Sequence, residues 1–361
     1  MTAVFAVLLY YPALSQSVPR SVTPGEEDWR FLEMAENAME AGNYGGAVEY
    51  AEKARAARKQ RCQWEIYTLE RSLRLSSVRR EADSLQDVIP VMEKNGLSSA
   101  AEIVRVHLDL RGADFYRNSL SGILEFENHL MLYPEVDYLI GRVYRMEGEY
   151  ELSRQYLISA YEASDILEVP AQKYDILYDL ADLYLDSGDS ENFEKYMLLV
   201  MSDNEDYVSA RFMRAIIHIV EEDKAGSVEK YFMLYRSGYT DTLRAMLSLA
   251  EFYSRSGETG RALRCSALGC TTALTKIEAA LDDRINGYAY TSLADLLSRS
   301  ADFEDIVEWG NANGIWRLFY IFADNAADAG NIRFASELFR ILSEHEPEPY
   351  WRRMAEQRLI R

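Results

Sequence analysis

The chain has 361 residues, 48% of them hydrophobic and 27% charged, which is ample apolar material for a large folded core. Its 59 acidic and 39 basic side chains leave a net charge of −20, a field that repels a phosphate backbone and argues against nucleic acid as a partner. Three cysteines, Cys62, Cys265 and Cys270, are too few for a disulfide framework.

Residues 2–14 carry no charge and are almost wholly apolar. The run is too short to span a bilayer as a helix. Ala13-Leu14-Ser15 offers the small residues that a signal peptidase reads, so a signal peptide over 1–15 is expected, without a basic stretch before it. Pro19, Pro24 and Gly25 then mark a linker over 16–27.

From there a glycine recurs at nearly constant intervals: Gly42, Gly112, Gly148, Gly188, Gly257 and Gly330, with Ser77, Asp223 and Ala301 filling the gaps in the series. A period in the mid-thirties points to stacked two-helix units. Around Gly42, apolar residues at steps of three and four (Phe31, Met34, Ala35, Ala38, then Ala47, Ala51, Ala54) outline one helix before the glycine and another after it. The slots near Ser77 and Gly112 fit poorly, because the small position holds Glu70 and Arg105. Those near Gly148, Gly188, Gly257 and Gly330 fit well, with Gly141, Ala181, Ala250 and Ala323 in the small position and Tyr144, Tyr184 and Tyr253 four before the glycine. The fit is fair near Asp223 and Ala301. Glu346-Pro347-Glu348-Pro349 stops the last unit, and Trp351, Met354 and Leu359 outline a short amphipathic helix.

This pattern resembles the tetratricopeptide repeat family over roughly residues 28–346. The resemblance implies an all-α fold: a right-handed superhelical solenoid of about eight to nine helical hairpins, with residues 347–361 as a capping helix. It also implies that the first helices of successive units line a concave groove. Carried over, the ninth groove position holds Glu36, Asp182, Glu251, Asp295 and Asp324, with Arg142 as the exception. The fifth holds Leu32, Tyr138, Tyr178, Leu247 and Tyr320. Such a groove, acidic beside aromatic and aliphatic, suits a protein segment with basic and apolar anchors. The Lys and Asn that some members use to clamp a carboxylate are missing from these positions.

Charge is uneven along the chain. Nine Lys/Arg stand against Glu65 and Glu70 between Lys53 and Arg80, whereas Ser121–Asp206 is strongly acidic. The basic stretch reads either as a solvated helix face or as an anionic docking patch, with self-association through the acidic middle left open.

Chemistry is sparse. The four histidines, His107, His129, His218 and His345, lie far apart and form no paired metal motif, and no phosphate loop or nucleophile elbow occurs. No metal, cofactor or catalytic residue is expected. The expected function is a non-enzymatic interaction scaffold of a bacterial cell-envelope assembly, exported to the periplasm, with no transmembrane span in the mature chain. The alternative is a periplasmic ligand-binding accessory of a transporter, which would need a deep apolar cavity.

Overall fold

A computed structural model describes residues 27–74 and 84–360. The expected signal peptide over 1–15, nearly all of the linker and Ser77 lie outside these residues. Every element among the described residues is helical. Contacts divide the chain into two compact units, 1–166 and 167–361.

The first unit contains α1 (Asp28–Glu40), α2 (Tyr44–Leu73), α3 (Leu85–Lys94), α4 (Ser98–Arg111), α5 (Leu120–Leu130), α6 (Pro134–Glu147) and α7 (Tyr150–Glu162). The second contains α8 (Gln172–Asp186), α9 (Ser190–Met201), α10 (Ala210–Glu221), α11 (Ser227–Leu234), α12 (Leu243–Arg255), α13 (Thr259–Asp282), α14 (Leu293–Ser300), α15 (Glu304–Ala312), α16 (Ile315–Asp328), α17 (Ile332–His345) and α18 (Pro349–Ile360).

Five turns share one geometry. Gly42, Gly148, Gly188, Gly257 and Gly330 all have φ between 73 and 89°, the left-handed region that costs an L side chain a Cβ clash. The residue after each glycine donates its N–H to the carbonyl four before the glycine: Asn43 to Ala38, Glu149 to Tyr144, Asp189 to Tyr184, Glu258 to Tyr253 and Asn331 to Ala326, all at 2.8–2.9 Å. This is the Schellman closure, which satisfies a helix-end carbonyl and reverses the chain. The next helix starts at once; Asp189, for example, accepts the Asn192 N–H at 3.1 Å.

The small position seven before each glycine is buried in every one of these hairpins. At Gly141 an added Cβ would stand 2.9 Å from Leu157 Cγ and 3.3 Å from the Leu157 backbone nitrogen. Gly141→Val is therefore expected to cost about 1–3 kcal/mol by overpacking, read as a lowered urea midpoint at unchanged m-value. An unaltered midpoint would show that α6 and α7 do not need this close approach.

The hairpins do not stack strictly in chain order. In the first unit α1 and α2 pack directly on α6. Their shared core joins Ala35, Met39, Ala47, Ala51 and Ala54 to Val136, Leu139, Ile140 and Val143. The intervening α3–α5 form an insertion on the far end of α2, which runs 30 residues, about 45 Å. A second core there collects Leu69, Leu85, Val88, Met92, Val104, Tyr116 and Ile123. Gly112 accordingly follows a second helix, α4, rather than ending a first one. The turn between α3 and α4 is made by Gly96, at φ 73°.

The second unit repeats the arrangement. The α8/α9 hairpin packs through α9 on α12, the α12/α13 hairpin packs on α16, and α18 covers α16 and α17. Between these, α10 packs on α13 and α11 on α17, while α14 touches α13 and α17. Asp223 takes the left-handed turn at φ 45°, and its Oδ1 accepts the Phe334 N–H at 2.8 Å, capping α17. Ala301 does not play the glycine's part, since its φ is −66°. The five well-matched hairpins thus form the regular stacks, and the poorly or fairly matched segments are built onto them.

Candidate functional site

The residues placed in the groove positions lie on the first helices of the hairpins. Within each unit they meet partners from the neighbouring hairpin. Asp182 on α8 pairs with Arg244 on α12 at 2.6 Å, and Glu251 on α12 pairs with Arg317 on α16. Asp324 on α16 pairs with Arg358 on α18. In the first unit, burial raises the Glu36 carboxyl above its usual range while Arg142 on α6 pulls the other way. Asp295 on α14 stands 3.4 Å from Arg299 and 3.4 Å from the Tyr288 hydroxyl. Its N–H donates to Ser292 Oγ at 3.0 Å, the contact by which Ser292 caps α14.

The aromatic row is largely covered. Tyr138 is buried, with the Arg142 guanidinium 5.5 Å from its ring centre. Tyr178 is buried under Arg244 at 4.6 Å. Its hydroxyl donates to the Asp241 carbonyl at 2.7 Å and accepts the Ala245 N–H at 3.3 Å. Burial pushes that phenol well above its ordinary pKa. Tyr320 sits between Phe339 and Trp351, with ring centres 5.5 and 5.3 Å away. These acids and tyrosines are therefore not a bare acidic row. Each ninth-position carboxylate has an arginine nearby, and for Glu36 and Asp182 that arginine also lies over the fifth-position tyrosine.

The basic stretch of α2 is likewise engaged. Arg58 bonds Asp28 at 2.5 Å and lies 3.5 Å from the Tyr133 ring centre. Arg61 reaches the same carboxylate at 3.1 Å, and Arg55 bonds Asp137 at 2.8 Å. These three arginines fasten α2 to α1 and α6, which removes them from a free docking patch.

A different constellation escaped the sequence reading. His107 from α4 places Nε2 2.7 Å from Glu127 Oε1 on α5 and 4.0 Å from Glu65 Oε2 on α2. Its Nδ1 is 2.9 Å from the Tyr116 hydroxyl. One ligand atom from each of Glu65, His107 and Glu127 lies within 4.8 Å of the others. Burial, with the Glu127 carboxylate alongside, pushes Glu65 up to about 8. Burial also opposes the charge on Glu127, but hydrogen bonding from His107 and Glu65 holds it below the usual range. The only linear signal was Cys62 and Glu65 one helical turn apart. His107 and Glu127 come from separate helices, so no motif spacing could announce them. His218, by contrast, is an exposed helix residue 3.8 Å from Glu222.

Among the described residues no helix is long and apolar enough to cross a membrane. An open depression of about 760 Å³ in the second unit is lined by Ile332, Arg333, Ser336, Glu337, Arg340 and Leu359, a surface hollow rather than an enclosed cavity.

No family model matches the chain. It is 28% identical over 337 residues to an uncharacterized protein of Treponema pallidum (strain Nichols), an alignment that takes in 93% of this chain and 90% of that one. It also aligns with the crystal structure of the P58(IPK) TPR domain at 13% identity, over 92% of this chain and 98% of that one. The TM-score of that alignment is 0.19, too low to bear on the fold.

Proposed function

We propose that this chain is a non-enzymatic scaffold that holds a protein segment against the faces of its first helices, within a bacterial cell-envelope assembly. The observation that carries this reading is the clustering of the groove positions. In each unit, acid, arginine and tyrosine from neighbouring hairpins converge on one face: Glu36, Arg142 and Tyr138 in the first, and Asp182, Arg244 and Tyr178 in the second.

Such half-exposed ion pairs contribute little to stability, about 0–1 kcal/mol each. A partner's Lys or Arg can therefore take over the carboxylate, while the displaced arginine turns to a partner acid. Recognition of this kind is selective for charge pattern and weakens with salt. Export of the chain is supported by the apolar run and Ala13-Leu14-Ser15.

Photo-activatable residues introduced at Glu36 and Arg244, with Glu49 and Glu191 on second helices as controls, test the reading in native cells. Defined adducts from Glu36 and Arg244 but not from the controls are expected, on a chain that begins near Gln16. Equal labelling from all four positions would remove the first-helix face as the binding surface. A retained Met1 would remove the export argument.

A further inference from the structure

The cluster around His107 leaves a fully buried carboxylate oxygen without a hydrogen-bond partner. Glu127 is fully buried and Glu65 half-buried, and one oxygen of each carboxylate faces His107 Nε2, at 2.7 and 4.0 Å. Glu127 Oε1 takes the contact with Nε2, while Glu127 Oε2 has no partner at hydrogen-bonding geometry. Buried carboxylates in this position are ordinarily paired with cations or coordinate metals. Arg61 reaches only the rim, 3.8 Å from Glu65, and is already shared with Asp28.

We propose that Glu65, His107 and Glu127 form a binding site for one divalent transition-metal ion, zinc by its ligand set. Zinc takes imidazole nitrogen and carboxylate oxygen at about 2.0–2.2 Å, which puts ligand atoms roughly 3.4 Å apart around a tetrahedral ion. The separations from Nε2, 2.7 and 4.0 Å, bracket that value, and all three ligand atoms lie within 4.8 Å of one another, so modest side-chain adjustments seat the ion.

The surroundings are those of a metal-binding histidine. Nδ1 lies 2.9 Å from the Tyr116 hydroxyl, the outer contact that fixes the ring and directs Nε2 inward. Tyr116 and Phe126 pack edge-on against the imidazole, with ring centres 5.3 and 5.9 Å away, and keep that side dry. An imidazole nitrogen beside two carboxylates suits zinc better than magnesium or calcium, which prefer all-oxygen shells. Because the ligands come from α2, α4 and α5, the ion pins the inserted helices to the far end of α2.

The test uses the untagged full chain, stripped with a chelator, dialysed and titrated calorimetrically with zinc ion alone. One equivalent is expected to bind with Kd below about 1 μM. Glu127→Gln and His107→Asn are each expected to weaken binding by at least about 100-fold, and Tyr116→Phe by about 10–100-fold. Glu102→Gln, an exposed change on α4, should leave binding as in the wild type.

X-ray absorption on the zinc-loaded wild type keeps the idea open to refutation if the ligand variants do not fold. A first shell containing one imidazole nitrogen with carboxylate oxygen supports the site. Lack of stoichiometric uptake, uptake retained by folded Glu127→Gln, or a first shell without imidazole would each overturn it.

Discussion

Arg58→Met is expected to cost about 3–5 kcal/mol of folding stability, a loss large enough to threaten a domain whose total is of order 10 kcal/mol. The Arg58 and Asp28 side chains are 4% and 9% exposed, and their contact is 2.5 Å. Removing the guanidinium leaves Asp28 largely desolvated, with only Arg61 at 3.1 Å to balance it. That residual partner places the expected loss toward the lower end of the range. The change also strips the cation from above the Tyr133 ring, where α6 begins.

Pairing Arg58→Met with Asp28→Leu should recover much of the loss, because a buried ion pair exchanged for packed apolar groups is often near neutral. Urea unfolding of the two single variants and the double variant measures this directly. A double variant no better than the singles would mean that packing, not the uncompensated charge, dominates.

The pair also sets a pH dependence. Burial alone would raise Asp28, but the Arg58 and Arg61 hydrogen bonds and charges outweigh it and hold the carboxyl below its ordinary 3.8. A depressed folded pKa means stability that is present above the ordinary value and lost as pH falls through the folded one. Acid unfolding of the wild type should therefore include this step.

The opposite sign is expected at Glu346. This residue follows α17, is fully buried, and neither carboxyl oxygen has a hydrogen-bond partner. Burial, then the nearby Glu348, pushes it well above its ordinary 4.5, while Arg352 works the other way. The Arg352 guanidinium is instead committed to the Glu346 backbone carbonyl, at 3.0 and 2.5 Å.

A raised folded pKa gives a contribution that is full below 4.5 and is lost as pH rises toward the folded value, at up to about 1.4 kcal/mol per pH unit. Glu346→Met has no such slope. It is expected to stabilise by about 1–3 kcal/mol near pH 5, where an unpaired neutral carboxyl is removed, and by more at each step toward pH 8. Stability curves of the two proteins running parallel from pH 5 to 8 would refute this account.

Much of the architecture was legible from local signals. A helix end that needs a left-handed residue writes a glycine into the sequence, and Gly42, Gly148, Gly188, Gly257 and Gly330 all adopt that conformation. A close helix crossing likewise writes a small residue, as Gly141 against Leu157 shows. The region from Ser77 to Gly112 misled because Gly112 keeps the spacing while serving a different turn. Continuous apolar and polar periodicity along α2 cannot reveal that one helix runs through to Leu73.

The residues assigned to groove positions lie on first helices, yet their pairing was not visible. Asp182 and Arg244 are 62 residues apart, and no period in the sequence links an acid to the arginine of the next hairpin. The same holds more strongly for Glu65, His107 and Glu127. Each reads as an ordinary polar residue of an amphipathic helix, and only the packing of three helices turns them into one buried cluster.

Helix type, hairpin turns and the small contact residues follow from interactions within about thirty-five residues, so the sequence alone determined them. Which hairpins stack directly, which are set aside as insertions, and which charges end up buried together depend on contacts between distant segments. There the free energy lies in burying apolar faces, and the polar groups carried along must find partners wherever that burial leaves them.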